Sequence, residues 1–218
     1  MGVSWLSTHP SRMVHARRVR RTLLPIACLV LALVGCGAET GDQAGEPVGG
    51  DVPTTPRALA AVAAEYTGTP SSADREADAA EEFARGGVGA ELRFGSDGEY
   101  DGDALTVAVG QGLDPSLTDC ESTTNEYLAG CVETDLGVLL WEAEAPEEDP
   151  GVVYVAVEKG DTSVLLFYSG PAITGDPREL DLPISVESLF DIASDPRVDV
   201  TTSQAAIEAG SDLSFWRG

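Results

Sequence analysis

The hydrophobic pattern of this chain changes period twice, and each change marks a different kind of segment. An unbroken apolar run over residues 23–34 follows Arg17, Arg18, Arg20 and Arg21 and ends at Gly35-Cys36. Residues 37–53 hold mostly Gly, acids and Pro, with almost nothing to bury, and read as a flexible tether. A helical period begins at Thr55-Pro56, where Leu59, Val62, Ala63 and Tyr66 recur at i, i+3, i+4 and i+7 before Gly68. Ala77, Ala80 and Phe83 predict a second helix across residues 71–85, although its apolar face is thin and acids dominate it. From Ala90 the period becomes two, which predicts strands over residues 90–94 and 104–109 joined through a turn-forming stretch.

The clearest strand signals come later, over residues 138–145, 152–158 and 163–169. The connectors between them, Pro146-Glu147-Glu148-Asp149-Pro150-Gly151 and Lys159-Gly160-Asp161-Thr162, are turn sequences, so the three strands should form an antiparallel meander. Leu139, Trp141, Val153, Val155 and Val157 alternate with Leu140, Tyr154 and Ala156, leaving the sheet apolar on both faces. Such a sheet needs helices over at least one face. Ser185 is placed to cap a helix carrying Val186, Leu189, Phe190 and Ala193, which Pro196 stops, and residues 202–209 predict a short last helix closed by Gly210. The fold class that follows is α+β: an antiparallel sheet, built as a three-stranded meander plus an additional hairpin, under two to four short helices. Residues 54–218 make one domain.

The order of basic segment, short apolar run and small residue is that of an export signal. At about a dozen residues, with Pro25 inside, the run is short of the roughly 20 that a membrane-spanning helix needs. Leu33-Val34-Gly35-Cys36 resembles the lipobox of bacterial lipoproteins. The resemblance implies cleavage between Gly35 and Cys36, a diacylglyceryl lipid on the Cys36 thiol, residues 1–35 as signal and residues 36–53 as lipidated cysteine and tether. Two acyl chains hold a protein at a bilayer where one binds only reversibly. A tether of this length reaches about 20–25 Å, so the domain would stand just off the outer face of the cytoplasmic membrane. Arg20-Arg21-Thr22-Leu23-Leu24 partly matches a twin-arginine signal, which leaves the export route open, and Met13 is an alternative start.

Charge sharpens this division. Of 13 basic residues five lie in residues 1–35, so the remainder carries eight against all 37 acids, a net charge of −29. A body this acidic repels nucleic-acid phosphates and anionic headgroups, which excludes nucleic acid as a partner and makes the lipid the expected membrane contact. Beyond Cys36 there is no histidine and no methionine, and Lys159 is the only lysine. Ser-His-Asp and Cys-His catalysis and histidine-based metal sites therefore have no residues to use. Lys159-Gly160-Asp161 reads as a hairpin turn rather than a catalytic lysine.

Cys120 and Cys131 remain, and an even pair in an exported chain reads as a disulfide. Asp97, Glu99, Asp101 and Asp103 alternate as in the first half of a calcium loop. Position 12 of such a loop, where a bidentate Glu belongs, is Ala108, so a solvated hairpin loop is the expectation and calcium the alternative. Glu147-Glu148-Asp149 reads as a solvated hairpin tip, with a carboxylate-dependent hydrolase the competing reading. Gly110-Gln111-Gly112 continues to Leu113-Asp114-Pro115 and fails as a dinucleotide loop. Phe215 and Trp216 are expected to pack on the domain.

Gly170-Pro171, Thr174-Gly175-Asp176-Pro177-Arg178, Leu182-Pro183 and Asp195-Pro196-Arg197 together resemble uncharacterised secreted lipoproteins of actinobacteria. That resemblance implies an envelope lipoprotein and carries no activity. The expectation is a non-enzymatic binding domain for an envelope protein, a wall component or a small ligand, with no catalytic residues and no cofactor beyond the lipid.

Overall fold

The computed structural model describes residues 50, 52–95, 102–123, 127–145 and 149–217. Gly35 and Cys36 lie outside them, as do Asp97, Glu99, Asp101, Glu147 and Glu148. Among the described residues no helix is long and apolar enough to cross a membrane.

The fold is α+β around one seven-stranded antiparallel sheet. Its strands are β2 (Ser72–Glu76), β3 (Val88–Arg93), β4 (Ala104–Gly110), β5 (Leu128–Glu133), β6 (Val138–Glu142), β7 (Val152–Lys159) and β8 (Thr162–Ser169). They lie in the order β2-β3-β4-β8-β7-β6-β5. The meander and the hairpin are both present, and each gains one strand. β5 joins the meander, β2 joins the hairpin, and β4 pairs with β8 along Ala104↔Ser169 to Gly110↔Ser163 to make one sheet. A second, two-stranded sheet pairs β1 (Val52–Pro53) with β9 (Thr201–Thr202), so these two residues, at the end of the stretch read as tether, form a strand.

One face of the large sheet carries the main core. Leu105, Val107, Leu139, Val153, Val155, Leu166 and Tyr168 alternate toward it and are buried. They meet α1 (Pro56–Thr67), α4 (Val186–Ser194) and α5 (Gln204–Ser211). α1 forms as the spacing predicted: Thr55 caps it by accepting from the Ala58 N–H, Pro56 occupies its first turn, and Gly68 ends it. Ser185 caps α4 in the same way through Ser188 N–H, and Ser203 caps α5. Gly210, expected to close the last helix, lies inside it instead. A Cβ there would stand 2.7 Å from the Arg57 carbonyl carbon, so this glycine sets how closely α5 approaches α1.

The helix expected over residues 71–85 is corrected to a strand and a single helical turn, β2 and α2 (Asp78–Glu81). An Ala- and acid-rich stretch favours helix locally, but its apolar face is too thin to dock one. Pairing with β3, from Ser72↔Arg93 to Glu76↔Gly89, satisfies the backbone more completely. The outer edge of β2 is covered by the C-terminal residues. Ala73 N–H donates to Phe215 O at 2.9 Å and Arg217 N–H to Ala73 O at 2.8 Å. Phe215 and Trp216 pack against the core, as expected, with the Arg57 guanidinium 5.3 Å from the Trp216 ring centre.

Candidate functional site

The opposite face of the sheet is covered only in part. Phe83, following α2, and Leu113 pack on Ala108, Ala156 and Leu165 to make a second, smaller core. Asp114 then caps α3 (Pro115–Thr118) by accepting from Ser116 N–H at 2.8 Å, and this turn leads into Cys120. Cys120 is joined to Cys131 of β5, with Cα atoms 5.7 Å apart, so the expected disulfide is present. It holds the α3 segment over the β5–β6 end of the sheet.

Between these two covers the sheet exposes aromatic surface. Tyr154 of β7 and Phe167 of β8 stand directly opposite each other in register, on the face away from the main core. Their rings meet edge to face, 5.0 Å between centres at 69°. They floor a recess of about 280 Å³ whose rim includes Glu82, Asp114, Ser116 and Thr123. The Tyr154 hydroxyl donates to Glu142 Oε1 at 2.9 Å. Burial, then the Glu142 bond and the charges of Glu142, Asp149 and Glu82, push the Tyr154 phenol well above its ordinary pKa. Asp114 is held below the usual carboxylate range by the hydrogen bond from Ser116. Sequence reading placed Tyr154 on an apolar sheet face and did not single it out. The signal was an aromatic pair at matched positions of adjacent strands, with Glu142 next along.

Two larger concavities are open to solvent. One, of about 650 Å³, lies between the start of α4, the 3-10 turn Pro177–Glu179 and the β5–β6 turn, with Leu136, Leu180, Val186 and Phe190 as its apolar lining. The other, of about 620 Å³, lies beside α2 and includes Arg75, Glu76 and Glu81. Glu91 has its pKa raised, chiefly by burial, against the opposing pull of its ion-pair partner Arg93. It lines none of these three cavities.

Of the expected loop carboxylates, Asp103 is described. Its Oδ2 accepts from the buried Tyr168 hydroxyl at 2.6 Å, and that hydroxyl accepts from Ile184 N–H at 3.3 Å. Asp103 thus ties the loop's exit to the core. Among the described residues no group of three or more His, Cys, Asp or Glu is placed to hold a metal ion. Lys159 sits at the β7–β8 turn, as read from sequence, with Gly160 at φ +68°. Its ammonium reaches past the end of α4 and donates to the carbonyls of Asp195 at 2.7 Å and Val198 at 2.9 Å. Burial lowers its pKa, partly offset by Asp199 and Asp195. Lys159→Met is expected to cost about 2 kcal/mol, since charge-assisted hydrogen bonds contribute about that much each way, read as a lower urea midpoint with unchanged slope.

Asp195 anchors the most connected polar cluster. It is 6% exposed. Its carboxylate accepts from Tyr66 Oη at 2.7 Å, from Arg197 N–H at 2.8 Å and from Arg197 Nη2 at 2.7 Å, and Arg197 also forks onto Glu65 at 2.8 and 2.9 Å. Every group here is matched to a protein partner, so the cluster joins α1 to the end of α4 and offers a ligand little.

Comparison of the chain with known protein families, with curated proteins and with solved structures finds no match.

Proposed function

We propose that this protein is an exported lipoprotein, held at the outer face of the cytoplasmic membrane by a diacylglyceryl group on Cys36, whose acidic α+β domain binds a ligand and does not transform it. One observation carries the anchoring. The box Leu33-Val34-Gly35-Cys36 stands directly behind a basic segment and an apolar run too short to span a bilayer, and ahead of a stretch with nothing to bury. The likeness to actinobacterial secreted lipoproteins points the same way. A disulfide within the domain suits an oxidising compartment. The binding role is supported by concave surfaces of ligand size, of which the aromatic recess is the one lined in part by Thr123 and Leu128 of the disulfide loop.

Mass spectrometry of the protein from its native membrane is the test. The expected terminal peptide begins at Cys36 and carries the diacylglyceryl mass, and Cys36→Ser is expected to remove all fatty mass and leave the signal uncleaved or release the domain. A terminal peptide beginning elsewhere, or beginning at Cys36 without added acyl mass, overturns the assignment.

A further inference from the structure

The recess over Tyr154 and Phe167 has a chemistry that selects among ligands. Phe83 and Leu113 cover Ala108, Ala156 and Leu165 on this face, yet these two rings stay partly exposed at the bottom of a concavity. Aromatic faces carry negative electrostatic potential, and a cation within about 6 Å of a ring centre is attracted to it. The groups around the rings add to that potential. Glu82 and Asp114 stand on the rim, Glu142 lies behind the Tyr154 hydroxyl, and among the described residues no lysine or arginine lines the recess.

A bare metal ion suits such a wall poorly. Calcium needs six to eight oxygen ligands, and the ring faces supply none. An anion is repelled, and a neutral apolar group would gain nothing from the negative potential of the surrounding carboxylates. A weakly hydrated organic cation satisfies both halves, with its methyl or methylene shell on the rings and its charge toward the carboxylates. At about 280 Å³ the space suits a small head group rather than a large ligand.

We propose that this recess binds a small organic cation, an alkylamine or quaternary ammonium group, on the Tyr154–Phe167 pair under the carboxylates of Glu82 and Asp114. The inference rests on the domain being a binding module and is independent of the lipid.

Calorimetric titration of the purified full-length protein in a non-ionic detergent tests it, with choline as the probe and dimethylbutanol, its uncharged carbon isostere, as the control. Choline is expected to bind at least about tenfold more tightly than dimethylbutanol, with affinity falling as salt is raised. Phe167→Leu is expected to weaken choline binding about fivefold or more with the thermal transition still cooperative. Glu82→Gln, on an exposed side chain, is expected to weaken it several-fold and flatten the salt dependence. Equal affinity for the two probes, no saturable choline binding, or choline affinity untouched by both substitutions each overturn the proposal. Acylation at Cys36, read by mass spectrometry on the same sample, stands or falls separately.

Discussion

Asp195→Ala is expected to destabilise the protein by about 3 kcal/mol, a fall in Tm of roughly 10 °C for a domain of this size. The substitution removes the acceptor of four donors at once, the Tyr66 hydroxyl and the Arg197 N–H, Nε and Nη2, and leaves the Tyr66 hydroxyl and the Arg197 backbone N–H without their partner. Arg197 keeps its fork onto Glu65, so the loss stays below that of stripping a fully buried pair. Thermal melts of Asp195→Ala, Tyr66→Phe and the double variant form a cycle in which the double loss is less than the sum. Additive losses would show that the two side chains do not act together.

The same carboxylate predicts a pH dependence. Burial opposes its charge, but hydrogen bonds from the Arg197 side chain, the Arg197 N–H and Tyr66 outweigh it and lower its pKa below the ordinary Asp value. A carboxyl whose folded pKa is depressed contributes stability that is complete above its unfolded pKa, about 4. That contribution is lost as pH falls through the folded pKa. Stability measured by urea denaturation should therefore decline steadily from about pH 4 downward, and less steeply in Asp195→Asn. An unchanged slope in that variant would remove Asp195 from the account.

Replacing both Cys120 and Cys131 with Ala is expected to cost about 3 kcal/mol, the chain-entropy value for a loop of this length, with a larger urea slope because the unfolded chain expands. The loss has a functional side. Leu117 and Thr123, on either side of Cys120, form one wall of the aromatic recess. Without the cross-link this wall keeps only the single turn α3, the packing of Leu117 on the second core and the hydrogen bond from the Thr123 hydroxyl to Ser116 O. Choline affinity should then fall more than in a variant of equal stability loss elsewhere, such as Asp195→Ala. Equal affinities in the two would detach the disulfide from the recess.

Much of the fold was legible because burial on one or both sheet faces leaves a period-two trace. β3, β4, β6, β7 and β8 all stood in the pattern, and α1 and α4 showed both their caps and their apolar faces. The edge strands did not. β2 is Ser-Ala-Asp-Arg-Glu, a composition that reads as helix, and it becomes a strand because β3 offers it a ladder. β5, Leu-Ala-Gly-Cys-Val-Glu, breaks alternation where its register shifts between Leu128 and Gly130. An edge strand is half-exposed and paired on one side, so its pattern is set by its neighbour more than by its own residues. The recess escaped for a related reason: Glu82, Asp114 and the Tyr154–Phe167 pair come from four places in the chain, and no local spacing brings them together.

The two Asp-Pro-Arg tripeptides separate what each level decided. In Asp176-Pro177-Arg178 and in Asp195-Pro196-Arg197 the arginine N–H and guanidinium both fold back onto the aspartate two residues earlier, at 3.0 Å and 2.8 Å for the backbone bond. That clip is written in the tripeptide, since proline holds φ and the i to i+2 reach suits an aspartate acceptor. The amino-acid sequence likewise carries the basic segment, apolar run and Leu33-Val34-Gly35-Cys36 on which the proposed export and lipid anchor rest, the acidity of the body and the lack of histidine beyond Cys36. The tertiary structure decided which clip matters to stability. Asp176 stays near solvent, whereas Asp195 is carried by α4 beneath Tyr66 and beside Glu65, 129 and 130 positions earlier in the chain. Local chemistry sets a geometry within a few residues. Burial and the partners that share it depend on contacts between distant segments, and those exist only once the sheet has closed.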